Sequence, residues 1–250
     1  MRVAVTVVVP CYNEEAGLPA LLARLDTLLR GAGRGWRVLF VDDGSTDATF
    51  ACLLSAVGRR RWARVVRHPT NLGLGAALRT GFRYAEAPIV CTVDSDCTYA
   101  PERLPELVAL LADGTEVATA LARHPGSAPA GGDQGRQALR RAVSGLYQRV
   151  VGQDVHAFTC LFRAYRRDAL ERIPFRSDGF ASVAEIMLRA LLAGYRVREL
   201  PMRLGARRFG ESKLKIGDAI VAHASLLVLA ATLVATRRLR ALVPGVSVMH

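Results

Sequence analysis

Short apolar segments alternate with helical patterns along much of the chain, and this alternation limits the fold more than any other feature. The first segment, residues 3–9, is a continuous run dominated by valine, which is typical of a strand buried on both faces. Leucines at helical spacing follow it, from Leu18 to Leu28. Further strands are expected at 38–41, 64–67, 89–93, 117–121 and 196–200, and helices at 74–85, 136–151 and 180–193. This order predicts an α/β fold with a doubly wound, mostly parallel sheet.

The helix expected after the second strand has a polar start and an apolar face. Ser45 or Thr46 can accept a hydrogen bond from the first free amides of that helix. Its core face is expected to carry Phe50, Leu53, Leu54 and Val57.

Composition and charge restrict the partners of the chain. Its 250 residues suffice for one large α/β domain, and a hydrophobic content of 51% excludes a disordered chain. The net charge of +12 favours an anionic partner, which can be nucleic acid, anionic lipid or a phosphorylated substrate. Aromatic residues make up only 6% and no recognition motif is present, which argues against nucleic acid. A general preference for arginine is the alternative source of the charge, because only Lys213 and Lys215 are lysine.

The first residues and the cysteines indicate a reducing compartment. The apolar run at 3–9 is too short for a secretory signal, since Pro10 and Asn13 follow it, and the catalytic part is therefore expected in the cytoplasm. Five cysteines are dispersed without metal-binding spacing, which predicts free thiols and no zinc site.

Acidic residues follow two of the predicted strands. Asp42 and Asp43 end one strand, and Asp94 and Asp96 follow another. Ligands of open α/β sheets bind outside the carboxyl ends of the strands, and paired carboxylates there can hold a divalent ion that grips a diphosphate. A single D-x-D sequence is more often a solvated turn, but two acidic strand ends in one sheet favour a site.

Two later segments have no strand pattern. Residues 124–135 form a loop rich in glycine, proline and alanine, which is typical of an active-site element. Residues 219–236 are apolar and precede Arg237, Arg238 and Arg240. This segment can span a bilayer, lie in its interface with arginines at the headgroups, or be an ordinary core or dimer helix.

Four motifs together resemble family 2 glycosyltransferases, which have the GT-A fold. The matching motifs are Val8-Val9-Pro10-Cys11-Tyr12-Asn13-Glu14-Glu15, Val41-Asp42-Asp43-Gly44-Ser45-Thr46-Asp47, Asn71-Leu72-Gly73-Leu74-Gly75 and Asp94-Ser95-Asp96. Two further motifs are similar to the dolichol-phosphate mannose synthase branch. They are Phe162-Arg163-Ala164-Tyr165-Arg166-Arg167 and the segment Arg207-x-x-Gly210-x-Ser212-Lys213. The resemblance covers residues 3 to about 216, which predicts a catalytic domain at 1–216 and a membrane-associating helix with a basic tail at 217–250.

The resemblance implies an inverting, metal-dependent transfer of a hexose, mannose in this branch, from a GDP- or UDP-sugar to polyprenyl phosphate. It implies Asp94 and Asp96 as ligands of Mg²⁺ or Mn²⁺, with Asp96 also catalytic. The residues implied at the donor are Pro10, Tyr12, Glu14, Asp42, Asp43 and Asp94. The enzyme is expected at the cytoplasmic face of a membrane.

A phosphorylated acceptor would account for the many arginines of the chain. A lipid phosphate is largely deprotonated at pH 7 and needs positive charge more than a catalytic base. The resemblance implies Arg123, Arg140 and Ser212 at this phosphate, and Arg207, Lys213 and Glu185 as catalytic. The sequence departs from the family pattern at Ala157, at Thr98 and around Arg123, which affects sugar and acceptor identity more than reaction class.

Three alternatives remain at this point. A family 2 transferase acting on a soluble or polysaccharide hydroxyl would need a general base, which Glu185 could supply. A dinucleotide-binding oxidoreductase is suggested by Gly73-x-Gly75, but Leu78 replaces the third glycine. A basic nucleic-acid-binding protein is the non-enzymatic alternative.

Overall fold

The computed structural model describes residues 3–122, 134–203, 205 and 216–242, without the side chains of 134–141, 216–221 and 236–242. Its strands are β1 (Val5–Cys11), β2 (Trp36–Asp42), β3 (Ala63–Arg67), β4 (Ile89–Thr92), β5 (Val117–Ala122), β6 (Arg163–Arg166) and β7 (Val197–Met202). Its α-helices are α1 (Leu18–Ala32), α2 (Thr49–Arg59), α3 (Leu74–Tyr84), α4 (Leu104–Ala109), α5 (Gln134–Val151), α6 (Arg167–Glu171), α7 (Ala181–Leu192) and α8 (Ile216–Leu242). A 3₁₀ turn, Pro101–Arg103, precedes α4.

The strands form one sheet in the order β3-β2-β1-β4-β6-β5-β7. β1 lies between β2 and β4 and pairs with both in parallel, as β3 does with β2 and β7 with β5. β6 is antiparallel to β4 and to β5. The predicted doubly wound, mostly parallel sheet is confirmed. The expected strands are all present, whereas β6 was not predicted.

The sheet separates two hydrophobic clusters. Alternate residues of β1 point to opposite sides, so that Val7 and Val9 join one cluster and Val8 joins the other. The leucines of α1 pack in the first cluster, together with α4. Helices α3, α5, α7 and α8 contribute to the second. All seven residues of β1 are buried, because helices cover both faces of the central strands.

The prediction for α2 was wrong in its start and in part of its apolar face. The helix begins at Thr49, without a side-chain cap, because Ser45 instead accepts a hydrogen bond from the Asn13 amide. Leu53 is fully buried, but Leu54 is 50% exposed and Ala56 takes a core position.

Helix α8 packs against the domain with one side. Leu226 and Ala230 are buried in the second cluster. The Tyr147 hydroxyl of α5 and His223 Nδ1 lie 2.8 Å apart in a hydrogen bond. Burial lowers the pKa of the His223 imidazole. The predicted separate segment therefore contributes to the core of the domain. Among the residues that the structure describes, none of the helices has both the length and the apolar character needed to cross a membrane.

Candidate active site

The predicted donor and metal residues meet at one edge of the sheet. Asp42 is the last residue of β2 and lies beside Cys11 of β1 in the strand register. β4 pairs with β1 on its other side, and the Val93 amide donates to the Val8 carbonyl just before Asp94. The turns after β1, β2 and β4 are therefore neighbours, because parallel strands end at the same edge.

The turn after β1 is tied to the turn after β2. The Asn13 amide donates to Ser45 Oγ at 3.0 Å, and the Glu14 amide donates to Thr49 Oγ1 at 2.7 Å. Asn13 has a φ of 51°, a region in which asparagine is enriched, and its side-chain Oδ1 accepts from the Thr46 amide. These bonds fix the positions of Pro10, Tyr12 and Glu14 relative to Asp42. Their predicted contacts with the donor stay predictions.

Asp42 is fully buried, and its two carboxylate oxygens differ in their contacts. The Ser45 amide donates to its Oδ1 at 3.3 Å. Arg67 Nε lies 3.0 Å from Oδ2 but outside hydrogen-bond geometry, and Oδ2 accepts no hydrogen bond from the described residues. The Arg67 guanidinium also stacks on the Phe50 ring, 4.3 Å from its centroid. Oδ2 of Asp42 is thus ion-paired with Arg67 but keeps the capacity to accept a hydrogen bond, as from an N–H or O–H of a nucleoside.

Arg67 was missed by the sequence reasoning, although a signal existed. It is the last residue of β3, and the strand register places it directly beside Asp42. Aligning the carboxyl ends of the predicted strands, 38–41 and 64–67, would have placed Arg67 within one residue of Asp42 in the register.

Asp43 binds protein groups on two sides. It is buried, its Oδ1 lies 2.7 Å from His68 Nδ1 and accepts from the Leu72 amide, and its Oδ2 accepts from the Gly73 amide. His68 in turn bonds Thr80 through Nε2. Both oxygens of Asp43 are thus turned towards protein donors. Asp43 therefore shapes the turn before α3, and its predicted contact with the donor stays a prediction.

The D-x-D turn after β4 offers hard oxygen ligands. Asp94 and Asp96 are both partly exposed, and Asp96 Oδ1 accepts from the Thr98 amide at 2.9 Å. Arg24, paired with Glu102, donates to the Cys97 carbonyl and supports the turn from α1. Burial raises the pKa of the Cys97 thiol to about 11, so that it stays protonated and is a poor ligand.

This turn fits the hard divalent cation that the family implies. The described residues contain no group of three or more metal-binding side chains, so Asp94 and Asp96 would share a cation with water and the diphosphate of the donor. Mg²⁺ is commonly bound in this way, through one or two carboxylates and substrate phosphates.

A described contact links this turn to the start of the predicted acceptor motif. The Gly205 amide donates to the Thr98 carbonyl at 2.9 Å. Arg207, Ser212, Lys213 and Arg123 lie outside the described residues, and so does the side chain of Arg140. The predicted active-site loop at 124–135 also lies outside them, apart from its last two residues in α5.

Glu185 does not have the environment of a catalytic base. Its side chain is only 2% exposed and lies in α7, five residues into the helix. Its oxygens accept from the amides of Arg176 and Ser177 and from Arg189 Nε, at 3.1, 2.8 and 2.7 Å. Burial acts to raise the pKa of Glu185, but these hydrogen bonds outweigh it and hold the pKa below its usual value. These contacts give Glu185 a structural role, and its predicted catalytic role stays a prediction.

Arg163 is a second residue whose role was not foreseen. It is fully buried in β6 and donates to the carbonyls of Val183, Ala157 and Phe158 at 2.7, 2.9 and 2.7 Å. Thr92 of β4 donates to the Leu161 carbonyl of the same segment. Arg163 thus fixes residues 157–162 behind the D-x-D turn. The motif around Arg163 marked it in the sequence, but not its burial.

Comparison with known proteins agrees with this geometry. The sequence model of the family "Glycosyl transferase family 2" matches residues 6–174. An undecaprenyl-phosphate 4-deoxy-4-formamido-L-arabinose transferase of Salmonella typhimurium is 30% identical over 84% of this chain and 62% of its own length. The same transferase of Salmonella paratyphi A is 29% identical over the same shares. The chain thus spans about three fifths of the length of these relatives.

Solved structures show the same fold. Glucosyl-3-phosphoglycerate synthase from Mycobacterium tuberculosis, in complex with Mn²⁺ and UDP-glucose, superposes with a TM-score of 0.68 at 20% identity, covering 93% of this chain and 79% of that one. Its complex with Mn²⁺, UDP and glucosyl-3-phosphoglycerate gives 0.67 at 21% identity, over 91% and 78%. The predicted GT-A fold and the resemblance to polyprenyl-phosphate transferases are confirmed. By its sequence and its fold, the chain belongs to glycosyl transferase family 2.

Proposed function

We propose that this protein transfers a sugar from a nucleotide-diphosphate donor to a polyprenyl phosphate, with inversion at the anomeric carbon. The observation that carries the proposal is the hydrogen bond from the Gly205 amide to the Thr98 carbonyl. It joins the D-x-D turn, which fits a metal-bound diphosphate, to the chain segment that leads into Arg207. On this proposal, the acceptor residues that follow Gly205 in the chain act at the same edge of the sheet as the donor residues.

The donor is proposed to be a GDP- or UDP-sugar. Asp42 would accept a hydrogen bond from the nucleoside, with Pro10, Tyr12 and Glu14 held around it by the bonds between the two turns. The glucosyl-3-phosphoglycerate synthase structures contain UDP, which supports UDP. The resemblance to mannose synthases supports mannose and GDP, whereas the curated relatives are named for a formamido-arabinose.

One set of residues would hold the cation at the donor diphosphate, and another set would bind the acceptor phosphate. Asp94 and Asp96 would hold Mg²⁺ or Mn²⁺, which supplies positive charge against the leaving diphosphate. Arg207 and Lys213, with Arg123, Arg140 and Ser212, would bind the acceptor phosphate, whose ionised oxygen attacks the anomeric carbon as the bond to the diphosphate breaks. No proton has to be removed from this nucleophile. The inward-facing carboxylate of Glu185 agrees with a reaction that needs no base.

We also propose that α8 docks on the cytoplasmic face of a membrane. Its inner side is buried, but Val228 is 68% exposed and Leu233 is 36% exposed. Arg237, Arg238 and Arg240 lie near the end of the helix. An apolar helix face beside arginines suits an interface with anionic headgroups. This arrangement would bring the catalytic domain to its lipid acceptor.

Replacing Val228 with aspartate is expected to lower binding to vesicles with anionic lipid about tenfold, because burying a valine side chain is worth about 1.5–3 kcal/mol and only part of it inserts. Leu54→Asp is the matched control, since Leu54 is an exposed apolar residue on α2. Co-sedimentation with vesicles measures both variants. Equal sedimentation of Val228→Asp and the unmodified protein would place the membrane contact elsewhere. Removing α8 is a poorer test, because it also removes the buried Leu226 and Ala230.

The proposed reaction is tested by incubating the protein with Mn²⁺, polyprenyl phosphate and labelled GDP-mannose, UDP-glucose or UDP-linked formamido-arabinose. Label that moves into the lipid extract with one of these donors supports the proposal and names the sugar. Label that moves only to water-soluble acceptors contradicts it.

A further inference from the structure

Glu185 holds a loop that packs onto the turn before α3. The two amides that it binds belong to Arg176 and Ser177, at the start of the segment 176–178 between α6 and α7. The Arg189 guanidinium donates a hydrogen bond to the other carboxylate oxygen of Glu185. Two of the three donors are amides of this loop, so Glu185 holds the loop against α7.

The loop lies directly against two glycines. The Gly75 amide donates to the Asp178 carbonyl at 2.5 Å. A Cβ on Gly73 would stand 2.5 Å from the same carbonyl oxygen, and a Cβ on Gly75 would overlap the Ser177 carbonyl. Gly73 also has a φ of 94°, which favours glycine. These glycines therefore serve close packing, which explains why Gly73-x-Gly75 imitates a dinucleotide motif.

A second tie comes from α3. Arg79 donates through Nη1 to the Ser177 carbonyl at 3.2 Å and forms an ion pair with Asp178. Its guanidinium also lies 5.4 Å from the centre of the Phe175 ring. The loop at 176–178 is thus bound by Glu185 of α7 and by Arg79 of α3.

The turn at 70–75 is held on its other side by the residues that follow β2. Asp43 binds the amides of Leu72 and Gly73. A Cβ on Gly44 would overlap the backbone of Thr70, so that the two turns are in direct contact. The loop at 176–178, the turn at 70–75 and the turn at 42–44 therefore form three consecutive layers, and Asp42 lies in the last of them.

We propose that Glu185 is a positioning residue for the donor nucleotide. By holding the loop at 176–178, Glu185 keeps the turn at 70–75 packed against the turn at 42–44. The backbone around Asp42 thereby stays in the conformation that binds the nucleotide. This proposal rests on the proposed donor site. It assigns to Glu185 an effect on nucleotide affinity that neither a general base nor a purely structural residue would have.

The test measures Kd for UDP and GDP with Mn²⁺ by calorimetry on the full chain, together with thermal unfolding. Glu185→Gln is expected to raise Kd about tenfold, because the NH2 group of glutamine cannot accept a hydrogen bond and at least one donor loses its partner. Glu171→Gln is the matched control. Glu171 has the same i,i+4 spacing to an arginine, Arg167, but is exposed, and this control should stay within about twofold of the unmodified protein.

Arg79→Met removes the contacts that α3 makes with the same loop. It is the variant to measure if Glu185→Gln does not fold. It is expected to raise Kd about fivefold, since it removes the bonds to Ser177 and Asp178. The double variant should show less than the product of the two single effects, because both act through one loop.

Two results would overturn the positioning role. One is an unchanged nucleotide Kd in folded Glu185→Gln and Arg79→Met with only a lower Tm, which is a purely structural effect. The other is an unchanged Kd with loss of transfer at saturating donor and loss of the acidic limb of the kcat–pH profile, which is the behaviour of a base. An unmodified protein that binds neither UDP nor GDP would contradict the donor site itself, and is thereby distinguished from both.

Discussion

Replacing Asp96 with alanine is expected to lower sugar transfer about a thousandfold, since charge stabilisation by a bound cation is worth several kcal/mol and each 1.36 kcal/mol is tenfold in rate. Asp96 lies in the D-x-D turn, whose two carboxylates, those of Asp94 and Asp96, are the proposed ligands of the cation. EDTA should have the same effect on the unmodified protein, and excess Mn²⁺ should reverse it. Single-turnover transfer with a labelled donor measures the loss.

Asp154→Ala is the control for this substitution. The Asp154 side chain is 93% exposed, on the loop after α5, and its removal should leave transfer unchanged. Circular dichroism and Tm should show that Asp96→Ala stays folded, because Asp96 lies in a partly exposed turn outside the two hydrophobic clusters. Full activity in EDTA would refute the assignment of Asp94 and Asp96 to a metal.

Replacing Arg207 with alanine is expected to weaken use of the acceptor roughly ten- to a hundredfold, because a charge-assisted hydrogen bond contributes about 1.5–3 kcal/mol. Lys213→Ala should act in the same direction. Donor affinity should change less, since the proposed donor contacts are made by the turns after β1, β2 and β4. The measurement is transfer at saturating donor and varied polyprenyl phosphate, with nucleotide Kd measured separately.

The comparison with Glu185→Gln separates a phosphate acceptor from a hydroxyl acceptor. For a phosphate, Glu185→Gln should change transfer at saturating donor only slightly. For a hydroxyl, loss of a general base would cost about 10²–10⁴-fold in rate. The buried position of Glu185 and its bonds to Arg176 and Ser177 favour the first result. Loss of transfer in Glu185→Gln, together with nearly unchanged transfer in Arg207→Ala, would overturn the lipid-phosphate proposal.

The sheet and the place of the site could be predicted because both follow from local patterns. Valine-rich runs such as residues 5–9 must be buried on two faces, and Asp42 and Asp94 stand where such runs end. Parallel strands then bring these ends together. β6 was not predicted, because a four-residue strand that begins and ends with arginine has no alternating pattern, and the burial of Arg163 depends on carbonyls elsewhere in the fold.

The roles of Asp43 and Glu185 could not be read from the sequence, because they depend on partners that the fold brings near. Asp42 and Asp43 are adjacent acids, yet one pairs with Arg67 through an oxygen that accepts no hydrogen bond from the described residues, and the other binds His68 and two amides of the next turn. Glu185 looks like a candidate base until the amides of Arg176 and Ser177 are seen to donate to one of its oxygens and Arg189 to the other. Motif matching identifies such residues as important, whereas their chemistry follows from side-chain direction and hydrogen bonding.

The central claim is that an ionised lipid phosphate is the nucleophile, and paired acceptors test it most directly. Undecaprenyl phosphate and undecaprenol differ in the group that would attack the donor, a phosphate in one and a hydroxyl in the other. With labelled nucleotide sugar and Mn²⁺, we expect rapid transfer to undecaprenyl phosphate that EDTA abolishes, and no transfer to undecaprenol. Transfer to undecaprenol or to a soluble hydroxyl acceptor, with none to undecaprenyl phosphate, would contradict the account.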